Sequence, residues 1–202
     1  MTTKTKIKDA ALKIFSTSSY EETTLSKIAN EVGIKTPSIY AFYKNKEDLF
    51  LTVLHMVFTD HYEHIKQLVD SLANESAERK LFMILQEMYN YHLNEEEKTN
   101  FYRRFMQFPP HGLEEIVQDE FLKSDEYLSN VLNDIFLTAI KNGEVREMEI
   151  ETLTASFLCL MDGLFTQLFY YPRDKEQLDW RLRINWEIYW SGVANKFTGV
   201  KS

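Results

Sequence analysis

Residues 32–50 read VGIKTPSIYAFYKNKEDLF. Between Gly33 and Lys46 there is too little chain for an ordinary core helix. The stretch holds Pro37 near its start, aromatic residues at Tyr40, Phe42 and Tyr43, and two lysines flanking Asn45. Few of these side chains suit a protein interior. The local signals around them define three helix boundaries. Thr24 is a good N-cap for a helix over residues 25–32, because its hydroxyl accepts from a first-turn N–H. Gly33 ends that helix, since glycine takes positive φ without a Cβ clash. Thr36 is expected to cap a third helix with Pro37 at N1, where a missing N–H costs nothing. Asn45 is expected to cap a fourth, with Asp48 at N3 in a box-like arrangement.

Ile28, Ala29, Val32, Gly33, Ile34, Ile39 and Phe42 form one spaced apolar set. Small Ala29 lets two helices approach closely, Gly33 makes the turn, and Ile39 returns to the core. This is the spacing of a helix-turn-helix. The third helix then has a face left over for a major groove. Lys35, Thr36, Ser38 and Tyr40 offer hydrogen-bonding groups on it, and Lys44 and Lys46 follow where phosphates would lie.

Outward from this segment, the chain reads as helical. It has 202 residues, 44% of them hydrophobic, with 4 Pro and 6 Gly, and no sustained alternation of apolar and polar positions. The first helix is expected over residues 4–17. The fourth is long, 46–72, and is followed by helices at 76–93, 96–107, 112–123 and 125–142. Two long helices close the chain, 149–171 and 174–197, divided by Pro172. No uninterrupted apolar run approaches the ~18 residues of a membrane span, so no membrane partner is expected. The N-terminus lacks the apolar core of a signal sequence. A single cysteine, Cys159, excludes an intramolecular disulfide and fits a reducing cytoplasm.

Charge is uneven. Residues 1–50 hold 8 Lys against 6 Asp and Glu, whereas residues 51–202 hold 15 basic against 25 acidic side chains. A basic head on an acidic body points to a polyanion partner at the N-terminal end.

The stretch YEETTLSKIANEVGIKTPSIYAFYKNKEDLF also resembles the N-terminal domain of the TetR family of bacterial repressors. The likeness rests on Thr24, Ile28-Ala29, Gly33, Ile39-Tyr40, Tyr43 and the Lys46-Glu47-x-Leu49 start of the fourth helix. It is close over about residues 5–55; beyond that only the plan agrees, with LMDGLFTQL typical of the penultimate helix. The resemblance implies an all-α homodimer that binds a palindromic DNA operator and releases it on binding a small molecule. It implies a DNA-binding domain over residues 1–46 and a ligand-binding and dimerisation domain over 47–202. Thr24, Ser26 and Lys27 would touch phosphates, and Lys35, Thr36, Pro37 and Ser38 would face base edges. Tyr40 and Lys46 would fix the register. Ala41 departs from the polar or histidine side chain that family members often carry there.

The last two helices are apolar on more than one side. Leu153, Phe157, Leu160, Leu164 and Leu168 make one line, with Leu158, Phe165 and Phe169 as another. Leu178, Leu182, Trp186, Tyr189 and Val193 line up in the final helix, with Ile184 and Ile188 to the side. One stripe suffices for a helix covered by its own domain. Two stripes suggest a second copy, with Phe157, Leu164, Leu168, Leu182, Trp186 and Tyr189 expected at the dimer interface.

The middle of the chain is rich in aromatics and methionine, and a few polar residues interrupt its apolar lines. An apolar cavity with convergent polar groups is what a small-molecule site needs. The expected lining is Phe58, His61, Met88, His92, Arg104, Phe105, Asp162 and Phe165, for a largely apolar inducer. Arg104 would pair a carboxylate and Asp162 a cation.

Other classes have less to stand on. The five histidines are dispersed, with no HExxH, and there is no GxSxG and no phosphate loop. Asp60 and His64 are i,i+4 neighbours and could bind a metal, but an exposed helix face explains them better. No catalytic residue, cofactor or metal is therefore expected. A helical adaptor that binds proteins through its acidic body, without DNA, is the main alternative, and a metal-dependent enzyme the other.

Overall fold

The structure, a computed structural model, describes residues 1–171 and 174–195. Among them it is all-α, with no strand. The helices are α1 (Thr3–Thr17), α2 (Leu25–Val32), a 3-10 helix (Thr36–Ala41), α3 (Lys46–Ser71), α4 (Ala77–Asn94), α5 (Glu96–Gln107), α6 (Glu114–Lys141), α7 (Ile150–Tyr170) and α8 (Lys175–Val193). The break expected at Pro172, and the expected last residues of the final helix, lie outside the described residues.

Two expectations are corrected. The helices foreseen at 112–123 and 125–142 are one continuous helix, α6. Only Ser124 separates those two patterns, and serine alone does not stop a helix that packing supports. The third helix is a six-residue 3-10 helix whose N-cap is Lys35 rather than Thr36, and no side chain caps it. Pro37 sits in its first turn, as its fixed φ favours.

The helices divide into two compact units, residues 1–63 with 95–124 and residues 64–94 with 125–202. The first thus reaches beyond the boundary expected after residue 46. A core of three short helices buries too little surface to stand well alone. Here Leu49, Phe50, Val53, Leu54 and Val57 of α3 and Phe101 and Phe105 of α5 join Ile7, Ala11 and Phe15 of α1 and Ile28, Ala29 and Ile39. At its centre Phe50 lies 4.8 Å from Phe105 and 5.3 Å from Phe15, both edge-on. Edge-to-face rings add roughly 0.5–1.5 kcal/mol per pair beyond the area they bury.

In the second unit, α4 packs against α7 and α8, and α7 against α8. Its core includes Leu81, Leu85 and Met88 of α4, Leu132 and Phe136 of α6, and the inward lines of α7 and α8. Val145 forms an isolated antiparallel bridge with Ala194, where Arg146 N–H donates to the Val193 carbonyl at 3.0 Å. That pairing ties the loop after α6 to the end of α8.

Five of the six residues expected at the dimer interface belong to this core. Phe157, Leu164, Leu168, Leu182 and Trp186 are all buried within the protomer. The sixth, Tyr189, is half-buried and donates its hydroxyl to the Leu153 carbonyl at 3.2 Å. The outward faces consist of other residues: Ala155, Cys159, Gly163, Thr166 and Tyr170 on α7, and Trp180 and Ile188 on α8. Among the described residues α7 is the one helix long and apolar enough to cross a membrane. It packs on α4 and α8, yet only 28% of its most apolar stretch is buried.

Candidate nucleic-acid interface and ligand residues

The local chemistry of the helix-turn-helix explains its geometry. The Thr24 hydroxyl accepts from Lys27 N–H at 3.2 Å and starts α2. Gly33 ends it at φ 77°, ψ 30°, a left-handed conformation that a side chain would strain. Ile34 N–H then closes on the Ala29 carbonyl at 2.9 Å. Asn45 caps α3 through its Oδ1, which accepts from Asp48 N–H at 2.8 Å. Asp48 returns the contact to Lys44 N–H at 2.8 Å, one residue earlier than a standard capping box. Tyr43 is buried and donates its hydroxyl to the Lys4 carbonyl at 3.4 Å.

These constraints turn one face inward and leave the other open. In the 3-10 helix only Ile39 is buried. Lys35, Pro37, Ser38 and Tyr40 are exposed, Tyr40 by 58%, and Thr36 is half-buried. Thr24, Ser26, Lys27 and Lys44 are exposed as well. Tyr40 thus presents most of its surface to solvent on a short element.

Two of the expected phosphate ligands are already engaged. Lys46 donates its ammonium to the Tyr20 carbonyl at 2.8 Å and sits 4.0 Å from the centre of the Tyr20 ring. Burial lowers its pKa, with Glu21 working in the other direction. Lys27 donates to the Glu22 carbonyl at 2.8 Å. No local signal announces the Tyr20 contact, which joins residues 26 apart.

The eight expected ligand residues fall four to each unit. In the first unit, Phe58 is buried 5.5 Å from Tyr102. His61 is stacked on Tyr102 at 6.4 Å, with Nδ1 3.4 Å from the Ser124 hydroxyl. Arg104 is half-buried, and its Nε lacks a hydrogen-bond partner. Phe105 is part of the aromatic core described above. In the second unit, Met88 is buried and His92 lies 4.3 Å from the Phe165 ring. Asp162 is exposed as a residue, yet crowding around its carboxyl, together with Asp125, raises its pKa.

One cavity in the first unit, of about 410 Å³, includes an expected ligand residue, Phe58, with His55, Thr59, Tyr62 and Glu120. Burial opposes the charge on Glu120. The Lys123 ammonium at 3.0 Å and His55 Nδ1 at 3.3 Å outweigh it and hold the carboxyl below its usual pKa. Asp60, the carboxylate neighbour of His64 in sequence, instead takes an ion pair from Lys98 at 3.1 Å.

Residues 7–53 match the sequence profile of the bacterial regulatory proteins of the tetR family. Over that stretch the chain carries a head of the tetR-family type. Among curated relatives, it is 25% identical over 177 residues to the fatty acid metabolism regulator protein of Bacillus subtilis, covering 88% of this chain and 73% of that one. Solved structures share the fold. The transcriptional regulator FadR of Bacillus subtilis, in complex with stearoyl-CoA, superposes with a TM-score of 0.69 at 20% identity, covering 93% of this chain and 98% of that one. A transcriptional regulator of Saccharomonospora viridis, in complex with choline, gives a TM-score of 0.76 at 16% identity, covering 96% and 98%.

Proposed function

We propose that the chain is a homodimeric repressor that binds a palindromic operator through its head and leaves it when a small, largely apolar molecule binds. It would act in the cytoplasm and without catalysis. The observation that supports this most directly is the 3-10 helix, with Ile39 buried beneath it and Lys35, Ser38 and Tyr40 open to solvent. The adaptor reading leaves that open polar face without a use.

The readout is tested by mutation. Tyr40→Ala is expected to weaken operator binding about 10-fold or more with helicity and melting temperature nearly unchanged, because the side chain is mostly exposed. Lys46→Ala is expected to weaken binding and also to lower the melting temperature of the head, since it removes the Tyr20 contacts. Band shifts and circular dichroism on the same samples separate the two effects. Undiminished binding by both variants would sink the recognition assignment.

Operator composition follows from the reading head. No arginine precedes Arg79, so the commonest bidentate reader of guanine is missing. Selection from a random DNA pool is expected to return an A·T-biased palindrome, read partly by shape and thymine methyl contacts. A consensus dominated by G·C pairs in both half-sites would contradict this.

For induction, α3 is the natural lever, because it contributes residues up to Glu63 to the first unit and the rest to the second. A ligand acts only by preferring one conformation over another. A coupling of about 1–3 kcal/mol loosens the operator roughly 5–150-fold. The stearoyl-CoA and choline carried by the two similar regulators supply the first compounds to try. Once a releasing compound is found, its affinity for the DNA-free protein is expected to fall in His61→Ala and in Arg104→Ala. Unchanged affinity in both would remove these residues from the pocket.

A further inference from the structure

Three charged residues share one groove in the second unit without pairing. Asp70 and Ala73 come from the end of α3 and the turn after it, Lys80 and Ile84 are one turn apart on α4, and Val131, Asp134 and Ile135 lie on one face of α6. They line a cavity of about 310 Å³. A second cavity, of about 390 Å³, shares Ala73, Lys80, Asp134 and Ile135 with the first, so the two adjoin along this groove. Both volumes lie at the small end of ligand sites. Its wall is aliphatic: Val69, Leu72, Ile84, Val131 and Ile135. Among the described residues, neither Asp70 nor Asp134 forms an ion pair with Lys80 or with any other side chain. Glu144, in the second cavity, is already used, since its Oε2 accepts from Ala77 N–H at 2.9 Å.

The sign of the charge chooses the ligand. Two carboxylates against one ammonium leave the groove negative, and Glu75 and Glu144 at its far part add to this. A monocation balances Asp70, Asp134 and Lys80 to neutrality, whereas a carboxylate doubles the excess. The aliphatic wall requires that the cation carry a hydrocarbon body. We propose that this groove binds a small organic cation, an amine or quaternary ammonium with an apolar chain. Its charge lies on Asp70 and Asp134, and its hydrocarbon lies on the wall of α3, α4 and α6. Lys80 is then a resident competitor that weakens the site. The proposal does not rest on DNA binding.

The test is titration of the full chain with n-hexylammonium, followed by calorimetry and by methyl resonances, with hexanol and hexanoate as the matched neutral and anionic probes. Hexylammonium is expected to bind tightest and to move the methyls of Ile84, Val131 and Ile135. Asp134→Asn is expected to weaken it about 2–5-fold, and Lys80→Met to strengthen it by a similar factor, the size of partly exposed charge pairs. Neither side chain is in the core, and unchanged helicity and melting temperature establish that each variant is folded. Four results overturn the proposal: hexanoate binding as well as the amine, Lys80→Met weakening the amine, Asp134→Asn leaving it unchanged, or perturbed methyls lying elsewhere.

Discussion

Ile188→Glu is expected to dissociate the proposed homodimer into monomers at micromolar concentration while its helicity stays at the wild-type level. Ile188 is 66% exposed in the protomer, so a charge there costs the isolated fold almost nothing. In a dimer joined through the outward faces of α7 and α8, the same charge would lie buried opposite apolar surface, and a buried unpaired charge is not tolerated. Two linked heads bind a palindrome with an avidity about 10²–10⁴ above that of one head. Operator affinity should therefore fall by that factor, although every residue proposed to touch DNA is intact. Trp186→Glu is the informative contrast. Trp186 is 7% exposed and sits in the protomer core, so its variant should lose helicity and solubility rather than dissociate cleanly. Cys159 provides a second readout. It is exposed on the outward face of α7, and its thiol should react faster with an alkylating reagent in Ile188→Glu than in the wild type. Sedimentation showing an unchanged dimer in Ile188→Glu would place the interface elsewhere.

Phe50→Ala is expected to destabilise the head by about 3–5 kcal/mol, the usual range for removing a large aromatic from a closed core. Phe50 is fully buried and meets Phe15, Tyr20, Phe101 and Phe105 within 4.8–5.7 Å. These partners come from α1, the segment after it, and α5, so the space left by the ring cannot be refilled from one side. Urea denaturation followed by circular dichroism measures the loss. Phe108→Ala is the control, because Phe108 is 74% exposed and its removal should change stability by less than about 0.5 kcal/mol. Equal effects of the two substitutions would contradict the packing described here.

The head was legible in the sequence because its signals are local. Thr24 and Asn45 cap through hydrogen bonds to residues three positions away, and Gly33 supplies a positive φ. Such contacts depend on the nearest neighbours in the chain and on nothing that folds later. The same holds for the open face from Lys35 to Tyr40, whose only apolar anchor is Ile39. The 3-10 form of that helix was not legible, since its hydrogen-bond spacing depends on how Ile39 and Tyr43 seat in the core.

What lay beyond the sequence are contacts between residues far apart in the chain. Nothing near Lys46 announces that Tyr20 will hold its ammonium. Phe105 read as a candidate for the ligand pocket, and the fold places it against α1 in the head. The clearest case is the pair of final helices. By itself the sequence determined that α7 and α8 are helices with apolar residues on more than one side. It did not determine which side faces inward, because hydrophobic periodicity states that a face is apolar and not what covers it. Tertiary structure made that choice, burying the line of Phe157, Leu164 and Trp186 against α4, α6 and their neighbours and leaving Cys159, Trp180 and Ile188 outside. On α7 the larger side chains fill the protomer core, where close packing gains most from their volume, and Ala155, Cys159 and Gly163 are left outside.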